Sequence, residues 1–124
     1  MTYKHPYIAV IDFDMTIAKT DYPIILAPIE ETVTFIHELQ KRNNWVWVLW
    51  TARQGKDLAD ALDWLHKNQM YPDFVNENVP YRIIKFGSDT RKVVGHINID
   101  DRNYGGLKVP PVSFLDEYNE DEYK

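Results

Sequence analysis

The stretch that decides the fold is residues 7–16, which read YIAVIDFDMT. Residues 7–11 form a short run that is rich in β-branched side chains and almost wholly apolar. Such a run is typical of a strand buried on both faces, as in a parallel sheet covered by helices. Asp12 and Asp14 follow directly, so the sequence predicts two carboxylates just beyond the C-terminal end of this strand.

Outward from this stretch, apolar strand patterns alternate with amphipathic helix patterns. A loop is predicted around residues 19–23. Further strands are predicted over residues 45–50, 71–76 and 97–100, with a fifth over 110–115. Helices are predicted over residues 29–41, through Leu58, Leu62 and Leu65 to about Asn68, and over residues 89–94. This alternation predicts an α/β fold, an open parallel sheet with helices on both faces.

Length and composition restrict the class of protein. A chain of 124 residues predicts one domain over residues 1–124, with a short acidic tail from about residue 116 that is expected to fray. The formal net charge of −5 argues against nonspecific binding to nucleic acid or to anionic membranes. The absence of cysteine excludes thiolate nucleophiles and cysteine metal sites. No apolar run approaches the roughly 18 residues of a membrane span, so we expect a cytoplasmic protein.

Acidic side chains follow two of the predicted strands. Asp12 and Asp14 come after the first strand, and Asp100 and Asp101 lie at the end of the fourth. Ligands bind at the carboxyl ends of the strands in open α/β sheets, so we expect these four carboxylates to meet at one edge. They would repel one another strongly without a cation. Oxygen ligands of this kind predict a hard divalent cation, Mg²⁺.

The Asp-x-Asp-x-Thr spacing of residues 12–16 suggests a division of labour. Residues two apart on a strand share a face, so one carboxylate could ligate the metal and attack an electrophile while the other handles a proton. A carboxylate is already ionised at pH 7 and needs no base to activate it. It needs a cation that screens its repulsion from an anionic phosphoryl group. The pattern therefore favours a phosphoaspartyl mechanism.

Taken together, these residues resemble the haloacid dehalogenase superfamily of phosphohydrolases. The resemblance rests on residues 12–16 after a hydrophobic strand, Thr51 after the second strand, Lys92 ahead of the fourth, and Asp100 and Asp101 at its end. It spans most of the chain, with the motifs in the family's order. The run IDDRN over residues 99–103 is also similar to a small capless subgroup of uncharacterised hydrolases.

The resemblance implies a role in catalysis for each acidic residue. Asp12 would be the nucleophile and a Mg²⁺ ligand. Asp14 would protonate the leaving group and then activate water, with its backbone carbonyl on the metal. Asp100 would ligate the metal, and Asp101 would ligate it through water or orient the ligands around it.

The resemblance also implies a set of residues that bind the phosphorylated substrate. Thr51 would hydrogen-bond a phosphoryl oxygen, and Thr16 would help to fix the loop. Lys92 would neutralise the phosphoryl charge, with Lys85 as the rival for that role. Arg53 is a further candidate for substrate contact, the alternative being a solvated residue at a helix start.

Two features bear on the substrate. The family has glycine where this chain has Met15, which adds bulk near the substrate entrance. Only eleven residues separate Thr16 from Pro28 (28 − 16 − 1), too few for a cap domain. The open site that results admits large substrates or is covered by a second copy of the chain, and it favours hydrolysis over transfer to another acceptor.

Two other functions fit part of the pattern. A calcium loop at residues 12–23 would need glycine at its sixth position and glutamate at its twelfth, where the chain has Ile17 and Pro23. A receiver-like phosphoacceptor module has a similar length and acidic cluster. Its acceptor would come from the third strand, where Asp73 is the candidate. The leading interpretation is a Mg²⁺-dependent phosphatase, with the receiver-like module as the alternative.

Overall fold

A computed structural model describes residues 5–119 of the chain. The elements in chain order are β1 (Tyr7–Ile11), β2 (Ala18–Asp21), β3 (Ile24–Pro28), α1 (Glu30–Gln40), β4 (Trp45–Leu49), α2 (Gly55–Lys67), β5 (Phe74–Val75), α3 (Pro80–Phe86), β6 (Ile97–Ile99) and α4 (Phe114–Glu117). The main sheet has the order β5-β4-β1-β6, and every pairing in it is parallel. β2 and β3 form a separate antiparallel hairpin.

The two faces of the sheet bury different side chains. Trp45, Trp47 and Leu49 belong to a large core cluster together with the apolar residues of α1 and α2. Val48 belongs to a smaller cluster on the other face, against which Tyr81 of α3 packs. Fully burying one such side chain contributes about 1.5–3 kcal/mol. The predicted open parallel sheet with helices on both faces is therefore confirmed.

The chain approaches β1 closely on its way into β6. A Cβ atom built on Gly95 would lie 2.6 Å from Val10 Cγ2 and 3.0 Å from the carbonyl oxygen of Ile8. The next residue, His96, donates its backbone N–H to that same carbonyl at 2.8 Å. Glycine at position 95 therefore lets β6 pair beside β1, in the register that places Ile99 against Ile11.

Two predicted elements are wrong. Residues 89–94 form a loop, and the helix on this side of the sheet is α3, which begins at Pro80. The side chain of Asn78 shapes the loop: its Nδ2 donates to Lys92 O at 3.1 Å and its Oδ1 accepts from Val94 N at 2.8 Å. Residues 110–115 form no strand, because two adjacent prolines have no N–H to offer a ladder and the chain turns into α4 instead.

The segment predicted as a loop around residues 19–23 is part of the β2–β3 hairpin. Its tip is Tyr22–Pro23, and its base is joined to the loop after β1 by a hydrogen bond from Met15 N to Ala18 O at 2.7 Å. Ile24 and Leu26 of β3 are 60% and 63% exposed. The sequence of the hairpin alternates too weakly between apolar and polar residues to predict two strands.

The fraying predicted from residue 116 onward is wrong for Asp116 and Tyr118. Arg42 donates from Nε and Nη2 to the two carboxylate oxygens of Asp116 at 3.0 and 2.8 Å. Tyr118 packs against Trp45 with ring centroids 5.6 Å apart. Residues 120–124 lie outside the described part of the chain. Between residues 5 and 119, no helix is both long enough and apolar enough to cross a membrane.

Candidate functional site

Parallel pairing brings three chain segments to one edge of the sheet. Ile11, the last residue of β1, lies opposite Leu49 of β4 and Ile99 of β6. Hydrogen bonds continue past the strands, from Asp12 N to Ile99 O at 3.1 Å and from Trp50 N to Ile11 O at 3.0 Å. Asp12 therefore lies between the residues that follow β4 and those that follow β6, as the sequence predicts.

Three carboxylates meet at this edge. Asp12, Asp100 and Asp101 each offer an oxygen, and these atoms all lie within 4.8 Å of one another. The buried hydroxyl of Thr16 joins the cluster. It lies 3.3 Å from Asp12 Oδ2 and 3.3 Å from Asp101 Oδ1, and it accepts the N–H of Asp101 at 3.0 Å. Thr16 thus ties the loop after β1 to the loop after β6.

The surroundings of Asp12 disfavour the ionised form of its carboxyl group. Burial and the neighbouring charge of Asp100 raise the pKa of Asp12 from 3.8 to about 7, with a smaller contribution from Asp101. Like charges at short range disfavour the ionised form. A cation between these oxygens would reverse that effect, and hard divalent cations bind carboxylate oxygens.

Asp14 does not join the cluster. Its Oδ2 and Oδ1 accept hydrogen bonds from Arg53 Nε at 2.9 Å and from Arg53 Nη2 at 2.8 Å, in a bidentate pair. Burial alone would raise the pKa of Asp14, but the hydrogen bonds from Arg53 and Thr20 together with the charge of Arg53 outweigh it, and the pKa is lowered. The prediction that four carboxylates converge is therefore wrong for the side chain of Asp14, because a buried guanidinium holds it elsewhere.

Arg53 is buried, although its neighbours in sequence predict a solvated residue or a substrate contact. Its Nη2 also donates to Pro23 O at 3.1 Å, and its Nη1 donates to Asp57 O at 3.2 Å. The guanidinium lies 5.0 Å from the ring centroids of both Phe13 and Tyr22. These contacts surround it with protein, so the structure places Arg53 beside Asp14 and gives it no open face for the predicted contact with substrate.

Thr51 follows β4 at the same edge. Its backbone N–H donates to Asn76 Oδ1 at 2.8 Å, and its Oγ1 accepts the N–H of Arg53 at 3.1 Å. A hydroxyl that accepts one hydrogen bond can still donate its own hydrogen. The side chain is half-buried, and the predicted hydrogen bond to a phosphoryl oxygen stays a prediction.

The structure brings neither candidate lysine into contact with the carboxylates. Lys92 lies in the exposed part of the 89–94 loop, and Lys85 lies exposed in the last turn of α3. Within residues 5–119, no ion pair joins either ammonium group to an acidic side chain. The role implied for Lys92, with Lys85 as its rival, stays a prediction.

Met15 occupies a backbone conformation that favours glycine. Its φ is 59°, in the left-handed region, where a Cβ atom costs roughly 1–2 kcal/mol. This is the position at which the resembled family has glycine, and the geometry explains that preference. The side chain is 44% exposed, and its Sδ accepts the N–H of Thr20 at 3.4 Å, so it lies toward the hairpin.

Comparison with known proteins supports the fold. No protein-family model matches this chain, and no curated protein sequence does. The chain is similar to the solved structure of a conserved protein from Bacteroides thetaiotaomicron, with a TM-score of 0.72 and 28% sequence identity. The similarity covers 90% of this chain and 87% of that one, so the two proteins share the α/β architecture over nearly their whole length.

Proposed function

We propose that this protein is a metal-dependent phosphatase of the haloacid dehalogenase type, which hydrolyses a phosphate monoester through a covalent intermediate on Asp12. The observation that carries the proposal is the convergence of Asp12, Asp100 and Asp101, whose oxygens lie within 4.8 Å of one another. They meet at the carboxyl edge of a parallel sheet, where ligands bind in folds of this kind. A cation at that place would leave Asp12 ionised and able to attack phosphorus.

The proposed reaction has two steps. An Oδ atom of Asp12 forms a bond to phosphorus while the bond from phosphorus to the ester oxygen breaks, and that oxygen takes a proton from solvent water and leaves as an alcohol. Water then attacks the phosphorus of the phosphoaspartate and loses a proton to a base. The bond from phosphorus to Asp12 breaks, which releases inorganic phosphate and restores the carboxylate.

Mg²⁺ is the cofactor that we propose, and the donor set fits it. Asp12, Asp100 and Asp101 would hold the ion, since Mg²⁺ binds through one or two carboxylates together with waters and phosphate oxygens. When bound, it supplies positive charge that neutralises the phosphoryl oxygens and screens the carboxylates from one another. The thiol and imidazole ligands that softer metals prefer are not among these residues.

The pair with Arg53 limits the part that Asp14 can play. A carboxylic acid donates a proton only while it holds one, and the lowered pKa of Asp14 keeps it ionised at neutral pH. The ionised form can accept a proton from the attacking water, so we assign Asp14 to the second step. Donation in the first step would require Asp14 to take up a proton against the charge of Arg53.

The receiver-like alternative has weaker support in the geometry. Asp73 precedes β5, and its carboxylate accepts a hydrogen bond from Trp47 N at 2.9 Å. The residue that follows β5 is Asn76, whose amide oxygen is occupied by Thr51 N. An amide is not a phosphoacceptor of the carboxylate kind, so the third strand offers no acceptor at the acidic edge among the described residues.

A screen of phosphate monoesters in the presence of Mg²⁺ tests the proposal. We expect multiple-turnover release of inorganic phosphate by the wild type, none by Asp12→Asn, and wild-type rates from the control Asp73→Asn. A receiver-like module would instead take up one phosphoryl group and lose it slowly. Failure of the wild type to turn over any class of monoester would refute the proposal. That the partner is a phosphorylated substrate, and that a second copy of the chain covers the open site, stay predictions.

A further inference from the structure

We propose that Arg53 is a positioning residue that fastens the hairpin tip, Tyr22–Pro23, to the loop that carries Asp14. One guanidinium touches both. It donates to the Asp14 carboxylate at 2.9 and 2.8 Å and to the carbonyl oxygen of Pro23 at 3.1 Å. The place of the hairpin tip and the orientation of the Asp14 carboxylate are therefore set by the same group.

A second set of contacts secures the tip on the side of α2. The Tyr22 ring lies 5.0 Å from the Arg53 guanidinium, and the Tyr22 hydroxyl donates to Asp57 Oδ2 at 3.2 Å. Asp57 in turn accepts from Arg53 Nη1 through its backbone carbonyl at 3.2 Å. Arg53 thus lies at the centre of three segments: the loop after β1, the hairpin tip and the first turn of α2.

Little else holds the tip in place. Tyr22, Ile24 and Leu26 are 59%, 60% and 63% exposed, so hydrophobic burial contributes little there, and Ile25 is the neighbour that packs against the main core. The Arg53 side chain, by contrast, is fully buried. Lysine could not replace it, because a single ammonium cannot reach a carboxylate in a bidentate pair and two backbone carbonyls at once.

Amide hydrogen exchange of the apo protein tests this coupling without any need for activity. We expect Arg53→Lys to raise exchange at hairpin residues 19–25 at least tenfold. We expect Asp14→Asn to do the same at Tyr22 and Ile24, because Arg53 loses the partner that orients it. The side chain of Asp14 itself reaches the hairpin at Thr20, so the amides of the tip report the coupling through Arg53. Arg42→Lys, which alters the other bidentate pair, and Asp12→Asn, two residues away, should leave these amides within twofold of wild type.

The outcome that would overturn the proposal is equally concrete. If Asp14→Asn folds and its hairpin amides exchange at the wild-type rate, the two ends of Arg53 are not coupled. Should Arg53→Lys fail to fold, Tyr22→Leu replaces it, since it removes the ring and hydroxyl contacts at the tip and keeps the buried charge. Its control is Ile24→Ala, a hairpin position that is 60% exposed, as Tyr22 is 59% exposed.

A kinetic experiment extends the test and rests on the proposed function. With p-nitrophenyl phosphate and Mg²⁺, we expect Tyr22→Leu to lower kcat about tenfold and to change KM less than twofold, because it disturbs the orientation of Asp14 and not the binding of phosphate. Ile24→Ala should change neither. An unchanged kcat in Tyr22→Leu would refute the link to catalysis. If the wild type hydrolyses no ester, the proposed function fails while the exchange experiment still decides the role of Arg53.

Discussion

Asp12 and Asp14 are two residues apart in one loop, yet their surroundings are opposite. Asp12 lies among carboxylates, and burial together with the charge of Asp100 raises its pKa to about 7. Asp14 is also partly buried, but Arg53, with a smaller contribution from Thr20, more than offsets the effect of burial, and the pKa of Asp14 is lowered. Asp12 therefore has acidic neighbours, whereas Asp14 already has a cationic partner in Arg53.

This difference indicates which of the two carboxylates would depend on an added cation. Groups whose environments push their pKa values apart are assigned to separate tasks in many active sites. Here the chain supplies its own cation to Asp14, whereas the cation that we propose beside Asp12 would have to be bound from solution. Each prediction below removes or reverses one side of this contrast.

The largest expected effect follows from removing the nucleophile. Asp12→Asn keeps the shape of the side chain but cannot form the phosphoaspartate, so we expect turnover to fall by at least about three orders of magnitude, on the order of several kcal/mol in the barrier. Asp73→Asn, outside the cluster, is the control. A pure preparation of Asp12→Asn that keeps more than a few per cent of the wild-type rate would contradict the assignment.

Asp14→Asn should fail in a different manner. Proton transfer by a positioned side chain is worth roughly 10²–10⁴-fold in rate, so loss of the base for the attacking water should slow turnover by that factor. Formation of the phosphoenzyme from p-nitrophenyl phosphate does not use that base and should slow much less. The phosphoenzyme on Asp12 should then accumulate, as a burst of p-nitrophenol and an added phosphate in the mass spectrum.

The arrangement with Arg53 sharpens this prediction. Since the pKa of Asp14 is lowered, its part in the wild type should be greatest in the attack of water, the step that needs a base. Trapping should therefore be seen even with the activated ester. Equal rate losses on both leaving groups, with no trapped phosphoenzyme, would make Asp14 a structural partner of Arg53 and not a proton carrier.

Metal binding should stabilise the fold through the Asp12 side of the contrast. At about 100 times the dissociation constant, a ligand of the native state adds about 2.7 kcal/mol to the free energy of unfolding. For a chain of this length the midpoint of melting should rise on the order of 10 °C. Thermal melting with EDTA and with saturating Mg²⁺ measures it, and Asp100→Asn should lose most of the rise while Asp116→Asn keeps it. Equal midpoints in wild type with and without Mg²⁺ would contradict the site.

Much of the fold could be predicted from residue patterns alone. Apolar residues with a polar residue at the strand end identified β1, β4 and β6, since β1 and β4 are buried on both faces and β6 buries Ile99 while its Asn98 is exposed. The edge where Asp12, Asp100 and Asp101 meet then follows from parallel pairing. The hairpin escaped prediction because Ile24 and Leu26 of β3 are exposed, so the apolar residues of this strand do not mark a core face by a regular alternation.

The pairing of Asp14 with Arg53 could not be predicted for a related reason. The two residues are 39 apart in the chain, and they meet because the hairpin tip and the first turn of α2 enclose the guanidinium. Arg53 resembles a solvated residue at a helix start when only its neighbours in sequence are known. A pattern in the sequence does not show which cationic residue lies near the Asp-x-Asp motif in the folded chain, so Arg53 could not be singled out.

The smallest expected effect is the pH dependence of the metal-free fold, and the two carboxylates should contribute with opposite signs. Asp12 has a pKa of about 7 when folded and an ordinary value of 3.8, so between about pH 4 and pH 7 the native state holds a proton that the unfolded state releases. Stability must then fall as pH rises through that window. Asp14, with its pKa lowered, contributes stability at pH values above its ordinary pKa, and this stability is lost as the pH falls below about 4.

Melting in EDTA should therefore show a midpoint that declines by a few degrees from pH 5 to pH 8 in the wild type. Asp12→Asn should flatten this decline, Asp14→Asn should leave it and flatten the acid limb, and saturating Mg²⁺ should abolish it. Parallel curves for wild type and Asp12→Asn would mean that the carboxylates of the cluster do not interact as their distances require.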